Sequence, residues 1–418
     1  MTHEPTTSAP GGAQPVLPAW AEVDLDAIAA NTRVLRESAD GAAVMAVVKA
    51  DGYGHGAVQV ARAALAGGAT WLGVAHLAEA LELRAAGISA PVLAWLVVPG
   101  QDLTAAVAAD VDVSASAPQT VEALAVAARR TGRTARVHLK VDTGLSRGGA
   151  TAHDWPDLVR AAARAQAEGA LEVVGLWSHL ASADDPAQDG LTRLQAERLA
   201  EAADVAGRHG VRPPLRHLAN SAGTLAHPAT RLDLVRAGIA VYGVSPAPQR
   251  GSAADLGLVP AMSLRARLAL VKDVDAGEGV SYGHAYTTSA PTRLALVPVG
   301  YGDGVPRHAS DVGPVGLGGR RYRIAGRVCM DQVVLDLGED ADARAARAGD
   351  EVELFGTGAG GAPTAQDWAD AVGTIAYEIV TRLGARVPRR YVGALAHDHA
   401  LAPDAVPGGV SATAVGRR

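Results

Sequence analysis

Lys49 closes a β-branched apolar run, Val44-Met-Ala-Val-Val-Lys49, and a glycine-broken polar stretch, Ala50 to Gly56, follows at once. An apolar run before glycines reads as a buried strand ending in a turn, and α/β folds place their chemistry at strand carboxyl ends. A lysine leaving a desolvating strand can have a lowered pKa, which makes its amine a nucleophile for a Schiff base with a substrate carbonyl or with pyridoxal phosphate (PLP). Such a lysine can also simply snorkel to solvent, but Gly52, Gly54 and Gly56 around Tyr53 let backbone approach a ligand closely. Arg147 ends Leu139-Lys-Val-Asp-Thr-Gly-Leu-Ser-Arg147; its planar fork suits a carboxylate, or a surface salt bridge. Ser221 with the N–H groups of Gly238 and Ile239 could cradle a phosphate, or could be an ordinary Asn-Ser turn and a strand glycine. His179, after Trp177-Ser178, can be catalytic or structural.

The elements that must position these groups follow a rhythm. Apolar runs at 43–49, 71–77, 92–98, 111–115, 135–142, 171–179, 215–219 and 234–242 alternate with helical stretches such as Thr120 to Arg130 and Gln195 to His209. This pattern predicts a (β/α)₈ barrel, with a phosphate site expected after strands seven and eight, where Ser221 and Gly238 stand. An open doubly wound sheet is the alternative, and no GxGxxG motif supports it. Before the barrel, Ala21-Glu-Val-Asp-Leu-Asp26 reads as a short strand with Asp26 as helix cap. The rhythm stops in a Pro-, Gly- and Ser-rich stretch near 245–260. Short strands follow, expected at Ser263–Val271, Thr292–Val299, Tyr322–Ile324, Gln332–Leu337 and Glu351–Leu354, with one helix from Thr364 to about Leu383. The expected division is a disordered tail over 1–18, a barrel over 19–250 (with strand 20–25 a candidate member of the second domain), a mostly β domain over 251–396, and a flexible tail over 397–418.

The chain has 418 residues, is 48% hydrophobic and carries a formal charge of −6. That is ample for two cores, and with no long basic run nucleic acid is not an expected partner. Cys329 is the only cysteine, so no disulfide can form within the chain and a reducing compartment is expected. No segment has the length of a membrane span, no metal site is called for, and the start lacks a signal-peptide layout.

Val48-Lys-Ala-Asp-Gly-Tyr-Gly-His-Gly56 resembles the PLP-attachment motif of the alanine racemases, fold-type III PLP enzymes. The resemblance runs from Trp20 to about Tyr391. It recurs in order at Lys140-Val-Asp-Thr-Gly144, Ser178-His179, Asn220-Ser221, Arg236-Ala-Gly-Ile239, Val280-Ser-Tyr-Gly283, Gly300-Tyr-Gly-Asp303, Gly326-Arg-Val-Cys-Met-Asp331 and Ala376-Tyr-Glu378. It implies that Lys49 forms the internal aldimine and serves as one base. It also implies that Tyr53, Ser221, Gly238, Ile239 and Tyr377 hold the phosphate, and that Arg147 binds the substrate carboxylate and the cofactor's phenolic oxygen. Arg236 would face the pyridine nitrogen with His217 behind it. Tyr282, from the partner subunit of a homodimer, would be the second base beside His179, and the partner's Met330 would present backbone to the substrate. Taken alone, Tyr282 and Tyr377 could be half-buried aromatics with satisfied hydroxyls. Lys140 could be a carbamate orienting Arg147, or a free lysine paired with Asp142. Trp177 and Leu145-Ser146 depart from the family pattern.

The resemblance thus implies a cytoplasmic enzyme interconverting L- and D-alanine by a two-base mechanism and supplying D-alanine for peptidoglycan. Alternatives are a racemase of another small amino acid such as serine, a PLP decarboxylase of the same fold type, a PLP-binding regulatory protein, or a Schiff-base aldolase without PLP.

Overall fold

The computed structural model describes residues 16–397; of the two expected tails, only 16–18 and His397 fall within that range. The chain divides into two compact units. One holds Val23–Met262 with the stretch from Tyr391, the other the stretch up to Glu22 with Ser263–Arg390.

Strand β1 (Ala19–Asp24) leads into the helix Leu25–Ser38. The cap is Asp24, not Asp26. Asp24 Oδ1 accepts from Asp26 N at 2.9 Å and Ala27 N at 3.1 Å, while the Asp26 carboxylate accepts from Ala394 N and Leu395 N.

The barrel strands are β2 (Ala43–Val47), β3 (Trp71–Val74), β4 (Val92–Ala94), β5 (Val111–Ala115), β6 (Ala135–Lys140), β7 (Leu171–Trp177), β8 (Leu215–His217) and β9 (Leu234–Ala237). They form one eight-stranded sheet, ordered β8-β7-β6-β5-β4-β3-β2-β9, and every neighbouring pair is parallel. Between β8 and β9 the ring closes without a ladder, through Asp233 N to Arg216 O at 3.1 Å and Arg236 N to Ala219 O at 2.9 Å. Met45, Trp71, Leu93, Val174 and Leu234 pack as a buried cluster contributed by five of the strands. Residues 251–262 stay with this unit because Asn31 clamps them: its amide donates to Val259 O at 2.8 Å and its oxygen accepts from Val259 N at 2.8 Å.

The second unit is mostly sheet. β10 (Met262–Arg267), β11 (Leu270–Val274), β12 (Gly279–Val280), β13 (Tyr286–Thr287), β14 (Thr292–Val297), β15 (Pro314–Leu317), β16 (Arg320–Arg323), β17 (Val333–Gly338), β18 (Glu351–Phe355) and β19 (Arg389–Val392) follow in order. A six-stranded sheet runs β16-β15-β18-β10-β1-β19, so the strand at 19–24 belongs here rather than to the barrel; a smaller sheet runs β11-β14-β17. The strand expected over 263–271 is two strands, β10 and β11, in different sheets. The single helix expected from Thr364 is also two, Ala365–Val372 and Ala376–Thr381, because Gly373 turns left-handed at φ 71°. Thr364 caps the first, its hydroxyl accepting from Asp367 N. No described helix is long and apolar enough to cross a membrane.

Candidate active site

The residues after Lys49 do not form a plain glycine loop. Ala50 (φ 53°), Asp51 (52°), Gly52 (59°) and Tyr53 (52°) wind left-handed in succession. The turn is closed by Gly52 N to Val48 O at 2.9 Å and Gly54 N to Ala50 O at 3.0 Å. Left-handed backbone costs an L-residue about 1–2 kcal/mol, so something must hold it. Glu79 does so from the helix Leu77–Ala85: Oε1 accepts from Ala50 N at 2.6 Å, and Oε2 from Ala75 N and His76 N, both at 2.9 Å. Asp51 Oδ1 accepts from Ala57 N at 2.9 Å. Strain of this kind gathers at functional sites. The half-buried Lys49 Nζ lies 5.9 Å from the Tyr53 ring centre and 5.8 Å from that of Trp95. Burial, then the charge of Arg147, lowers its amine below the usual lysine range, against Glu79.

Ser221 opens the helix Ser221–Ala226, capped by Asn220 Oδ1, which accepts from Gly223 N at 2.9 Å. Ser221 Oγ gathers Gly238 N at 2.8 Å and Ala240 N at 3.3 Å. The expected Gly238 amide is therefore aimed at the expected serine, and Ile239 follows it, buried, at the head of the turn Ile239–Tyr242. Glycine at 238 makes room for Tyr53: a Cβ there would lie 2.5 Å from Tyr53 Oη and push the phenol aside. The Tyr53 ring is buried against Tyr242, centroids 4.7 Å apart.

Arg236, on β9, is 4% exposed. Its NH1 donates to His217 Nδ1 at 3.1 Å; its NH2 donates to Ser178 O at 2.7 Å, Leu218 O at 3.1 Å and His179 Nδ1 at 3.2 Å. Burial pulls the guanidinium down to about 9, so it stays charged at neutral pH. Burial, then Arg236, holds both His179 and His217 well below the ordinary histidine range, so both are neutral. Trp177 forms a platform. It stacks on His217 at 5.5 Å and 5° and donates Nε1–H to Ser114 Oγ at 3.0 Å. Lys140 Nζ sits 4.4 Å, and the Arg236 guanidinium 4.6 Å, from its ring centre. Burial, then Arg236 and Arg147, pulls Lys140 down to about 8, against Asp142. Arg147 itself is exposed, on a loop turned by Asp142 Oδ1, which accepts from Gly144 N and Ser146 N.

In the second unit Tyr282 and Met330 stand out, 70% and 52% exposed. Tyr282 begins the turn Tyr282–His284, and the preceding Ser281 donates to Arg327 O at 2.7 Å and lies 3.3 Å from Cys329 Sγ. Met330 O accepts from Gly302 N at 2.8 Å. Tyr377 is half-buried on the helix Ala376–Thr381.

Residues 23–246 match the family model described as alanine racemase, N-terminal domain, and 261–391 that of the C-terminal domain. The chain belongs to the alanine racemase family. A relative named alanine racemase from Frankia casuarinae is 59% identical over 372 residues, 89% of this chain and 96% of that protein. Another from Beutenbergia cavernae is 60% identical over 376 residues, 90% of this chain and 98% of that one. A crystal structure of alanine racemase from D-cycloserine producing Streptomyces lavendulae matches with TM-score 0.89 at 54% identity, over 92% of this chain and 100% of that chain. One from Bacillus anthracis with bound L-Ala-P matches with TM-score 0.83 at 35% identity, over 91% and 97%.

The barrel brings Lys49, Tyr53, Ser221, Gly238 and Arg236 to the carboxyl ends of β2, β8 and β9 or the turns just beyond. Sequence reasoning missed Glu79, Trp95 and Ser114. A glutamate at the third position of a helix is a capping signal, and Glu79 satisfies it, but its reach to Ala50 depends on barrel register. Trp95 and Ser114 carry no pattern of their own.

Proposed function

We propose that the protein is an alanine racemase that binds PLP on Lys49 and interconverts L-alanine and D-alanine. The observation that carries the reading is the gathering of a lowered lysine amine, the Ser221–Gly238 pair and a buried guanidinium at one end of the barrel in a chain of this family. The residues present fit PLP. The Ser221 hydroxyl, the Tyr53 phenol and the backbone beside Gly238 suit a phosphate, with Ile239 and Tyr377 completing the set. Arg236 donates and cannot accept, so it suits an unprotonated ring nitrogen. Bound PLP would supply the electron sink that makes the Cα proton removable.

The chain's own groups do the rest. Arg147 binds the substrate carboxylate, with Lys140 beside it as the free or carbamylated residue. Lys49 moves the proton on one face. The partner subunit's Tyr282 moves it on the other, and the partner's Met330 offers its backbone to the substrate. His179 Nδ1 accepts from Arg236, so its Nε2 carries a proton; that N–H would hydrogen-bond the phenol oxygen of the partner's Tyr282 and steady it as a base. The high exposure of Tyr282 and Met330 supports a homodimer with shared sites. The reading places the enzyme in the cytoplasm, supplying D-alanine for peptidoglycan, in keeping with a chain that has one cysteine.

Purified protein incubated with L-alanine should yield D-alanine by chiral chromatography, and borohydride reduction should fix PLP on the Lys49 peptide. No D-alanine, or a label on another lysine, would overturn the reading.

A further inference from the structure

Behind Arg236 a line of hydrogen bonds runs through the barrel interior, and its direction is fixed by the chemistry of its first member. Arginine only donates, so His217 Nδ1, 3.1 Å from Arg236 NH1, bears no proton. His217 therefore carries its proton on Nε2, 2.9 Å from His138 Nδ1. His138 must accept there, so its own proton lies on Nε2 and points to Asp112 Oδ2 at 3.1 Å. A charged His138 is excluded: its Nδ1–H would need His217 Nε2 as acceptor and leave His217 with no proton at all. Asp112 is fixed in turn by Arg136, whose Nε donates to Oδ1 at 2.8 Å and NH2 to Oδ2 at 3.3 Å.

This line is buried throughout: both rings are 0% exposed and Asp112 1%. Barrel interiors are normally filled by apolar side chains, and a buried polar network destabilises unless its members are satisfied. Here every ring nitrogen has one partner of the right kind. Room is made by Gly175 on the neighbouring strand, where a Cβ would lie 2.2 Å from His138 Nδ1. Trp71 packs edge-on against the His138 ring at 5.5 Å.

We propose that His138 and Asp112 are positioning residues for the reaction: Asp112 fixes the tautomer of His138, His138 fixes that of His217, and His217 holds Arg236. This rests on the reading that Arg236 faces the cofactor ring. The same logic makes an aspartate set the tautomer of a catalytic histidine in hydrolase triads.

Asp112→Asn sharpens the proposal. The amide has one oxygen for the two Arg136 donors: kept at the Oδ1 place it retains the shorter bond from Nε (2.8 Å), gives up the longer one from NH2 (3.3 Å), and turns the NH₂ toward His138 Nε2. His138 must then accept at Nε2 and donate from Nδ1, which reverses His217 and sets its Nδ1–H against an Arg236 N–H. In ¹⁵N-histidine NMR of the native protein, with and without PLP, His138 and His217 should be neutral Nε2–H tautomers; in Asp112→Asn both should be Nδ1–H. In this variant kcat should fall ~10–100-fold, by analogy with the loss of partners that orient metal ligands. KM should change little, and borohydride should still fix PLP on Lys49. In a His217→Phe background, Asp112→Asn should cost nothing further. If Asp112→Asn does not fold, His138→Phe keeps the ring against Trp71 and should lose kcat to the same degree. A charged or Nδ1–H ring in the native protein, an unchanged kcat, or an undiminished Asp112→Asn loss in the His217→Phe background would overturn the proposal. The native tautomers without PLP test the line by itself, whereas absence of PLP on Lys49 would fail the functional reading alone.

Discussion

Lys49 and Tyr282, the two side chains assigned to proton transfer, live in opposite surroundings. Lys49 is half-buried among rings with its amine lowered by burial and by Arg147; Tyr282 is 70% exposed on its own chain. A free phenol titrates near ~10, so Tyr282 needs neighbours to act as a base, and in the proposed dimer Arg236 and the His179 N–H supply them. Tyr282→Phe keeps the ring and removes the phenol. Net racemisation should then fall by ~10²–10⁴-fold, the usual contribution of a general base. In deuterated water D-alanine should still exchange its Cα proton through Lys49, while L-alanine should exchange far more slowly, as read by mass spectrometry of each enantiomer. Equal loss from both, with PLP bound and the dimer intact, would refute the two-base assignment.

The left-handed turn after Lys49 is the element on which the site depends, and its strain can be measured. Ala50 sits at φ 53° and ψ 52° with its side chain exposed. Ala50→Gly should stabilise the apoprotein by up to about 1 kcal/mol after the added flexibility of the unfolded chain is counted, and so raise its thermal midpoint. Ala50→Val should lower it, since a β-branched residue fits that region worst. A reversed order in scanning calorimetry would show that the turn is not strained. That the eight barrel strands are legible in the sequence has a simple cause: they are buried, mostly apolar runs, such as Val44 to Val48, bounded by helical segments. The turn itself is not legible, because Ala50 and Asp51 do not announce positive φ; Glu79, 29 residues on, makes it possible. The second unit is legible as sheet but not as strands: Pro314–Leu317 is short and pairs in a hairpin with the equally short Arg320–Arg323, and Arg389–Val392 owes its pairing to β1, far along the chain. Asp112 and His138 escape notice for the same reason, since the register of β5, β6 and β8 brings them into line with His217.

For the whole molecule, the proposed shared sites make activity a property of the pair. Subunits carrying Lys49→Ala and subunits carrying Tyr282→Ala should each be inactive alone. Mixed under exchanging conditions, they should regain activity in part of the population, because one site in each mixed dimer holds both bases. Mixed dimers verified by mass and still inactive would refute shared sites. The barrel adds a coupling of its own. Its ring lacks a ladder at one joint, where β8 meets β9 through a few backbone bonds around Arg216 and Arg236. Local opening is easiest where few backbone bonds cross, and this joint is spanned from inside by the hydrogen bond from Arg236 to His217. The arginine assigned to the cofactor ring is thus also the latch of the barrel. Any breathing that parts those two strands releases it, so the mechanical integrity of the ring and the electrostatic setting of the chemistry rise and fall together.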